Sequence, residues 1–159
     1  MDKMILVVDD EPLDRGILKN MLDQEYDVIE AGDGKEALGM LAQHKKSIVA
    51  VLLDLFMPQM DGFALLEAMR EDENCRSIPA LVLTASRDEA MELKAFQCGA
   101  WDFITKPIHK DILDFRLKNA ISRSNLSAIR QLTYIAEYDV LDEYFRVPYS
   151  ERFQEGEFR

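Results

Sequence analysis

The chain has 159 residues, the size of one ordinary domain with a short appendage. Its 19 basic and 30 acidic side chains give a formal charge of −11, which argues against a free-standing nucleic-acid binder or an anionic-membrane binder, because both need a basic surface. Hydrophobic residues make up 48% of the chain, so a packed core is expected rather than disorder.

The first apolar run, Met4 to Val8, reads as a strand ending in Asp9-Asp10-Glu11-Pro12. The stretch before it is too short for a signal peptide. Leu13, Ile17, Leu18, Met21 and Leu22 then recur at helical spacing, with Pro12 in the first turn, where a helix tolerates it. Tyr26 to Ala31 reads as a second strand and Gly32-Asp33-Gly34 as a turn. Ala37, Leu38, Leu41 and Ala42 mark a second helix. Ile48 to Leu53 is a fully apolar third strand ending at Asp54, and Asp61-Gly62 opens a helix with Leu65, Leu66 and Met69 on one side. Ala80 to Thr84 reads as a fourth strand. A fourth helix runs from about Arg87 to Gln97 and is stopped by Gly99. Asp102 to Thr105 is a short fifth strand, Lys106-Pro107 breaks the chain, and a last helix starts near Ile108. Alternating strands and helices with near-continuous apolar strands predict a doubly wound α/β fold with a five-stranded parallel sheet covered on both faces. No run approaches the ~20 apolar residues of a membrane span. Cys75 and Cys98 have no metal-like spacing and are expected as free thiols of a cytoplasmic protein.

Asp9 and Asp10, Asp54 and Thr84 fall at the C-terminal ends of predicted strands, and Lys106 follows another. Ligands of open parallel sheets bind beyond those ends. Three carboxylates brought together repel, and Mg²⁺, which prefers oxygen ligands shared with phosphate, relieves that repulsion. A hydroxyl and an ammonium nearby can hold phosphoryl oxygens while one carboxylate attacks phosphorus. Each residue alone reads more simply as a helix cap or a solvated charge; the joint placement is what carries the argument.

These residues sit in Ile5-Leu6-Val7-Val8-Asp9-Asp10-Glu11-Pro12, Leu53-Asp54-Leu55-Phe56-Met57-Pro58-Gln59-Met60-Asp61-Gly62, Val82-Leu83-Thr84-Ala85 and Gly99-Ala100-Trp101-Asp102-Phe103-Ile104-Thr105-Lys106-Pro107-Ile108. In order and spacing the chain resembles the receiver domain of two-component response regulators over about residues 4–122. The resemblance implies a flavodoxin-like receiver fold and makes Asp54 the phosphoacceptor for a sensor histidine kinase. Asp10 would then bind Mg²⁺ directly, Asp9 mainly through water, and the Phe56 carbonyl would add a ligand. Thr84 and Lys106 would hold phosphoryl oxygens, small Ala85 would leave them room, and the bond before Pro107 would be cis. Thr84 and Phe103 would be the switch pair, Phe103 otherwise being a plain core residue. The last two helices and the fifth strand would form the switching face. Phe56 and Ser86 offer no acid or amide to activate water, which predicts a phosphorylated form lasting minutes or longer. A phosphatase of the haloacid dehalogenase type is excluded because Phe56 stands where it needs a second Asp. A flavin phosphate would be repelled by Asp9-Asp10-Glu11.

His44 and His109 lack ligand partners at useful spacing, Trp101 and the methionines read as packing, and Lys45-Lys46 is too small a basic patch to matter. The receiver is expected to span 1–123, a helical extension or linker 124–146 and a disordered tail 147–159. Leu126, Ile129, Thr133, Ala136 and Val140 share a helical face, which predicts an extended C-terminal helix to about Tyr144 and a homodimer through it. Folding back onto its own domain is the alternative. Ala136-Glu137-Tyr138-Asp139-Val140-Leu141 resembles the start of a diguanylate cyclase domain, but the resemblance stops there. The chain is then either a truncated piece lacking that output domain or one with a diverged tail. A single-domain receiver that binds a partner, or a degenerate constitutive dimerisation module, are the competing readings.

Overall fold

In a computed structural model, residues 3–57, 61–85 and 88–125 are described. They order as β1 (Met4–Val8), α1 (Pro12–Leu22), β2 (Asp27–Ala31), α2 (Gly34–His44), β3 (Ile48–Leu53), α3 (Gly62–Glu71), β4 (Ala80–Thr84), α4 (Glu89–Cys98) and β5 (Asp102–Thr105). Residues 110–125 form a further helix, α5. The strands make one parallel sheet in the order β2-β1-β3-β4-β5. The chain therefore starts in the interior of the sheet, winds to one edge and returns past β1 to the other. That order creates a switch point between β1 and β3, where a crevice opens beyond the strand ends.

Strand alternation divides the core into two layers. Leu6, Val8, Val51, Leu53 and Val82 face one side, packing with Ala37 and Leu41 of α2, Leu65, Leu66 and Met69 of α3, and Ala95 and Cys98 of α4. Ile5, Val7, Ala50, Leu52, Leu81, Leu83 and Ile104 face the other, packing with Leu18 and Leu22 of α1 and Leu113, Leu117 and Ala120 of α5. Each fully buried Leu or Ile contributes about 1.5–3 kcal/mol relative to exposure. The central strands are buried on both faces, which accounts for their unbroken apolar sequence.

Local signals set the element ends. Pro12 opens α1, and the side chains of Asp33, Asp61 and Asp88 cap α2, α3 and α4 by accepting from Glu36, Ala64 and Ala90 N–H groups. Gly99 ends α4 in the left-handed region at φ 119°, where glycine carries no Cβ penalty.

Several boundaries differ from the sequence reading. Tyr26 lies outside β2 because its N–H closes the turn after α1 on the Leu22 carbonyl at 3.0 Å. The helix expected from about Arg87 begins at Glu89, the residue after its Asp88 cap. The helix expected near Ile108 begins two residues later, its Leu113 N–H bonding to the His109 carbonyl at 3.0 Å. Leu13 and Ile17 stand 75% and 46% exposed. The 3.6-residue period that turns positions 18 and 22 inward leaves 13 and 17 on the outer side. Leu38 is half-buried and Ala42 exposed for the same reason.

The chain divides into two units at Ser122–Arg123. The expected helix continuing to Tyr144 and the tail from Val147 lie outside the described residues, as do Pro58, Gln59, Met60 and Ser86. Among the described residues no helix is long and apolar enough to cross a membrane.

Candidate functional site

The register of the sheet assembles the site. The Asp9 N–H donates to the Ala31 carbonyl at 3.1 Å, and the Asp54 N–H donates to the Val8 carbonyl at 2.9 Å. Asp9 and Asp54 thus leave adjacent strands at one level. Carboxylate oxygens of Asp9, Asp10 and Asp54 all lie within 4.8 Å of one another. Asp9 is 3% exposed, while Asp10 and Asp54 are half-buried.

Backbone donors and one arginine hold this cluster. The Glu11 N–H donates to Asp9 Oδ1 at 2.9 Å, and the Phe56 N–H donates to Asp54 Oδ1 at 3.2 Å. Arg15 donates from Nη1 to the Asp9 carbonyl at 2.6 Å and from Nε to Glu30 Oε1 at 3.1 Å. It therefore ties the first turn of α1 to the ends of β1 and β2. Past Asp54 the chain folds back sharply, with the Gly62 N–H on the Leu55 carbonyl at 2.7 Å. A Cβ on Gly62 would meet the Leu55 Cα at 2.6 Å and the Asp54 carbonyl oxygen at 2.7 Å, so glycine is needed for this approach.

Lys106 enters from the other side of the crevice. Its N–H donates to the Thr84 carbonyl at 2.8 Å, which carries the β4–β5 pairing one step beyond Thr84 and Thr105. Its Nζ lies 3.4 Å from Asp9 Oδ2 and 3.5 Å from Asp14 Oδ2. The Lys106–Pro107 peptide bond is cis.

Electrostatics follow from this packing. Burial pushes the Asp54 carboxyl above its ordinary pKa, and Asp9 and Asp10 push the same way; the Phe56 N–H and the Lys106 ammonium pull against them. Burial alone would lower Lys106, but Asp9, Asp54 and Asp14 outweigh it and hold the ammonium above its ordinary value. The cluster thus carries more negative charge than one lysine neutralises. Its all-oxygen donor set fits a hard divalent cation such as Mg²⁺.

Thr84 ends β4 and is 3% exposed. Phe103 is half-buried on β5, its ring centroid 6.4 Å from that of Phe96 on α4. Phe56 places its backbone beside Asp54, while the residue as a whole is 56% exposed. His44 and His109 lie in the last turn of α2 and just before α5, outside the cluster. Asp14 meets the Lys106 ammonium and Arg15 meets the Asp9 carbonyl, and neither lies in a motif. Position 14 falls on the stripe that continues through Leu18 and Leu22, but only packing shows that this stripe, and not that of Leu13 and Ile17, faces inward.

Residues 5–118 match the family model described as the response regulator receiver domain. The chain is 34% identical over 125 residues to a probable transcriptional regulator, ycf27, of Guillardia theta, covering 78% of this chain and 47% of that one. It therefore spans about half the length of this relative. It resembles the receiver domain of the sensor histidine kinase PA1611 of Pseudomonas aeruginosa, solved with a magnesium ion coordinated in its active-site cleft. That match has TM-score 0.69 and 28% identity, over 76% of this chain and 98% of that one. It is also similar to a probable two-component response regulator/GGDEF domain protein, at TM-score 0.71 and 29% identity over 77% of this chain and 50% of that one.

Proposed function

The chain belongs to the response regulator receiver domain family of two-component signalling, and from that premise we propose that Asp54 is its phosphoacceptor, with a histidine kinase as donor. The observation that carries this reading is the meeting of Asp9, Asp10 and Asp54 within 4.8 Å, with the Lys106 ammonium against the same group. Receiver domains are signalling switches rather than enzymes acting on an external substrate, and the chemistry proposed here is confined to the chain's own carboxylate.

Asp9, Asp10, Asp54 and the Phe56 carbonyl would hold Mg²⁺. The ion would supply charge neutralisation between the acidic cluster and the incoming phosphoryl oxygens. An Asp54 carboxylate oxygen attacks phosphorus in line as the donor's phosphorus–nitrogen bond breaks. The Phe56 N–H steadies the attacking carboxylate. The Lys106 ammonium pairs with one phosphoryl oxygen and the Thr84 hydroxyl donates to another. In the half-buried site these charge-assisted contacts act with little screening. Phe103 couples Thr84 to the face made by α4, β5 and α5. That face exposes Leu93, Phe96, Ile112 and Phe115, and population shift there would control dimerisation or an output domain.

The relatives above include a transcriptional regulator and a GGDEF protein, so a nucleic-acid-binding or a diguanylate cyclase domain would suit this receiver, and the cytoplasm is its proposed location.

Calorimetric titration with beryllofluoride, which mimics the aspartyl phosphate, tests the reading. Binding should require Mg²⁺ and should vanish in Asp54→Asn. Binding that survives Asp54→Asn, or no binding by the wild-type chain, would overturn it.

A further inference from the structure

The Lys106 ammonium is already engaged before any phosphoryl group arrives. It lies 3.4 Å from Asp9 Oδ2 and 3.5 Å from Asp14 Oδ2, and the described ion pairs include none between Lys106 and Asp54. Asp9 belongs to the acidic cluster itself; Asp14 does not. It projects from the first turn of α1, four and eight residues before the buried Leu18 and Leu22. An apolar residue there would continue the inward stripe of the helix. Instead a carboxylate interrupts it, at the edge of a cleft of about 260 Å³ that Lys106, Pro107, Ile108 and the α1 side chains Ile17, Leu18 and Met21 also line. A carboxylate at this position has an ammonium to hold.

We propose that Asp14 is a positioning residue that restrains Lys106 while Asp54 is unmodified, so that the ammonium must give up Asp14 to serve the phosphoryl group. The inference rests on the phosphoacceptor reading of Asp54 and adds a regulatory residue to that site. Lys106 has one positive charge to divide between Asp14 on α1 and the oxygens gathered at Asp54. Whatever it contributes to Asp14 in the unmodified state is subtracted from its differential affinity for the modified one. Asp14 is thereby a brake on phosphoryl capture. The Asp14 side chain is 41% exposed, so the brake is modest. An ion pair so exposed corresponds to a change of about two- to fivefold in an equilibrium constant.

The test measures the dissociation constant for beryllofluoride by calorimetry in saturating Mg²⁺, using the full chain. The variants are Asp14→Asn, Asp14→Glu, Lys106→Met and the double variant Asp14→Asn/Lys106→Met. Asp14→Asn should bind about two- to fivefold more tightly than wild type, and the gain should shrink as salt screens the exposed pair. Asp14→Glu, which keeps the charge, should stay near the wild-type value. In the Lys106→Met background, Asp14→Asn should change nothing, because the brake acts only through the ammonium. Unchanged or weaker binding by Asp14→Asn overturns the proposal. So does an equal gain with Lys106 absent, which would mean general charge repulsion, and so does loss of the wild-type value in Asp14→Glu. Failure of the wild-type chain to bind overturns the Asp54 reading, and this proposal with it.

Discussion

The Asp54 N–H bonds to the Val8 carbonyl at 2.9 Å, one residue before Asp9. The carboxylates of β1 and β3 are thus brought together by sheet register, and side-chain contacts only refine the placement. A one-residue slip would exchange side chains between the two core layers and move the two carboxylates apart along the strands.

The same strand end depends on Gly62. Because an added Cβ would sit 2.6 Å from the Leu55 Cα, Gly62→Ala should destabilise the fold by about 1–3 kcal/mol. It should also weaken Mg²⁺ binding by displacing the backbone after Asp54. Chemical denaturation and Mg²⁺ calorimetry check both effects. Gly39, in the middle of α2 with nothing within 4 Å of its Cβ direction, is the control. Gly39→Ala should stabilise by about 0.5–1 kcal/mol.

Tyr26 sets an alkaline limit. Burial pushes its phenol above the ordinary value, and Glu25 and Asp114 add to the effect. The unfolded chain therefore loses this proton first as pH rises. The stabilisation is complete below about pH 10, the unfolded value, and is lost as pH climbs through the folded one. Thermal midpoints measured upward from neutral pH should fall more steeply above about pH 10 in the wild type than in Tyr26→Phe.

Both cysteines should be inert in the native state. Cys75 and Cys98 are free and buried. Burial raises both thiols, and Glu67, accepting from Cys98 Sγ at 3.4 Å, raises Cys98 further. Less thiolate means slower alkylation. A thiol reagent should leave the folded protein unlabelled over a time in which the denatured chain takes up two equivalents, one at each of these residues.

The exposed apolar residues of α4 and α5 predict association. Light scattering should show monomer becoming dimer when beryllofluoride is added with Mg²⁺. A dimer under both conditions would make the association constitutive, and a monomer that still binds the ligand would leave this face for a separate protein partner.

The strands were legible because parallel strands buried on both faces leave unbroken apolar runs, as in Ile48–Leu53 and Ala80–Thr84. The cluster was legible because ligand sites of open parallel sheets lie beyond the strand ends, where Asp9, Asp10 and Asp54 fall. Helix phase was harder to read. Leu13 and Ile17 fit a helical spacing as well as Leu18 and Leu22 do, and only packing decides which stripe faces inward. Asp14 went unread for the same reason. It belongs to no motif, and its contact with Lys106 depends on the packing of α1 against the turn after β5.

Every role proposed for the acidic cluster depends on Asp54 taking the phosphoryl group. Incubation with a small-molecule phosphodonor and Mg²⁺, followed by borohydride trapping and peptide mass spectrometry, tests it directly. A single Mg²⁺-dependent modification at Asp54, removed by Asp54→Asn, is expected. Modification at another residue, or none in the wild-type chain, would contradict it.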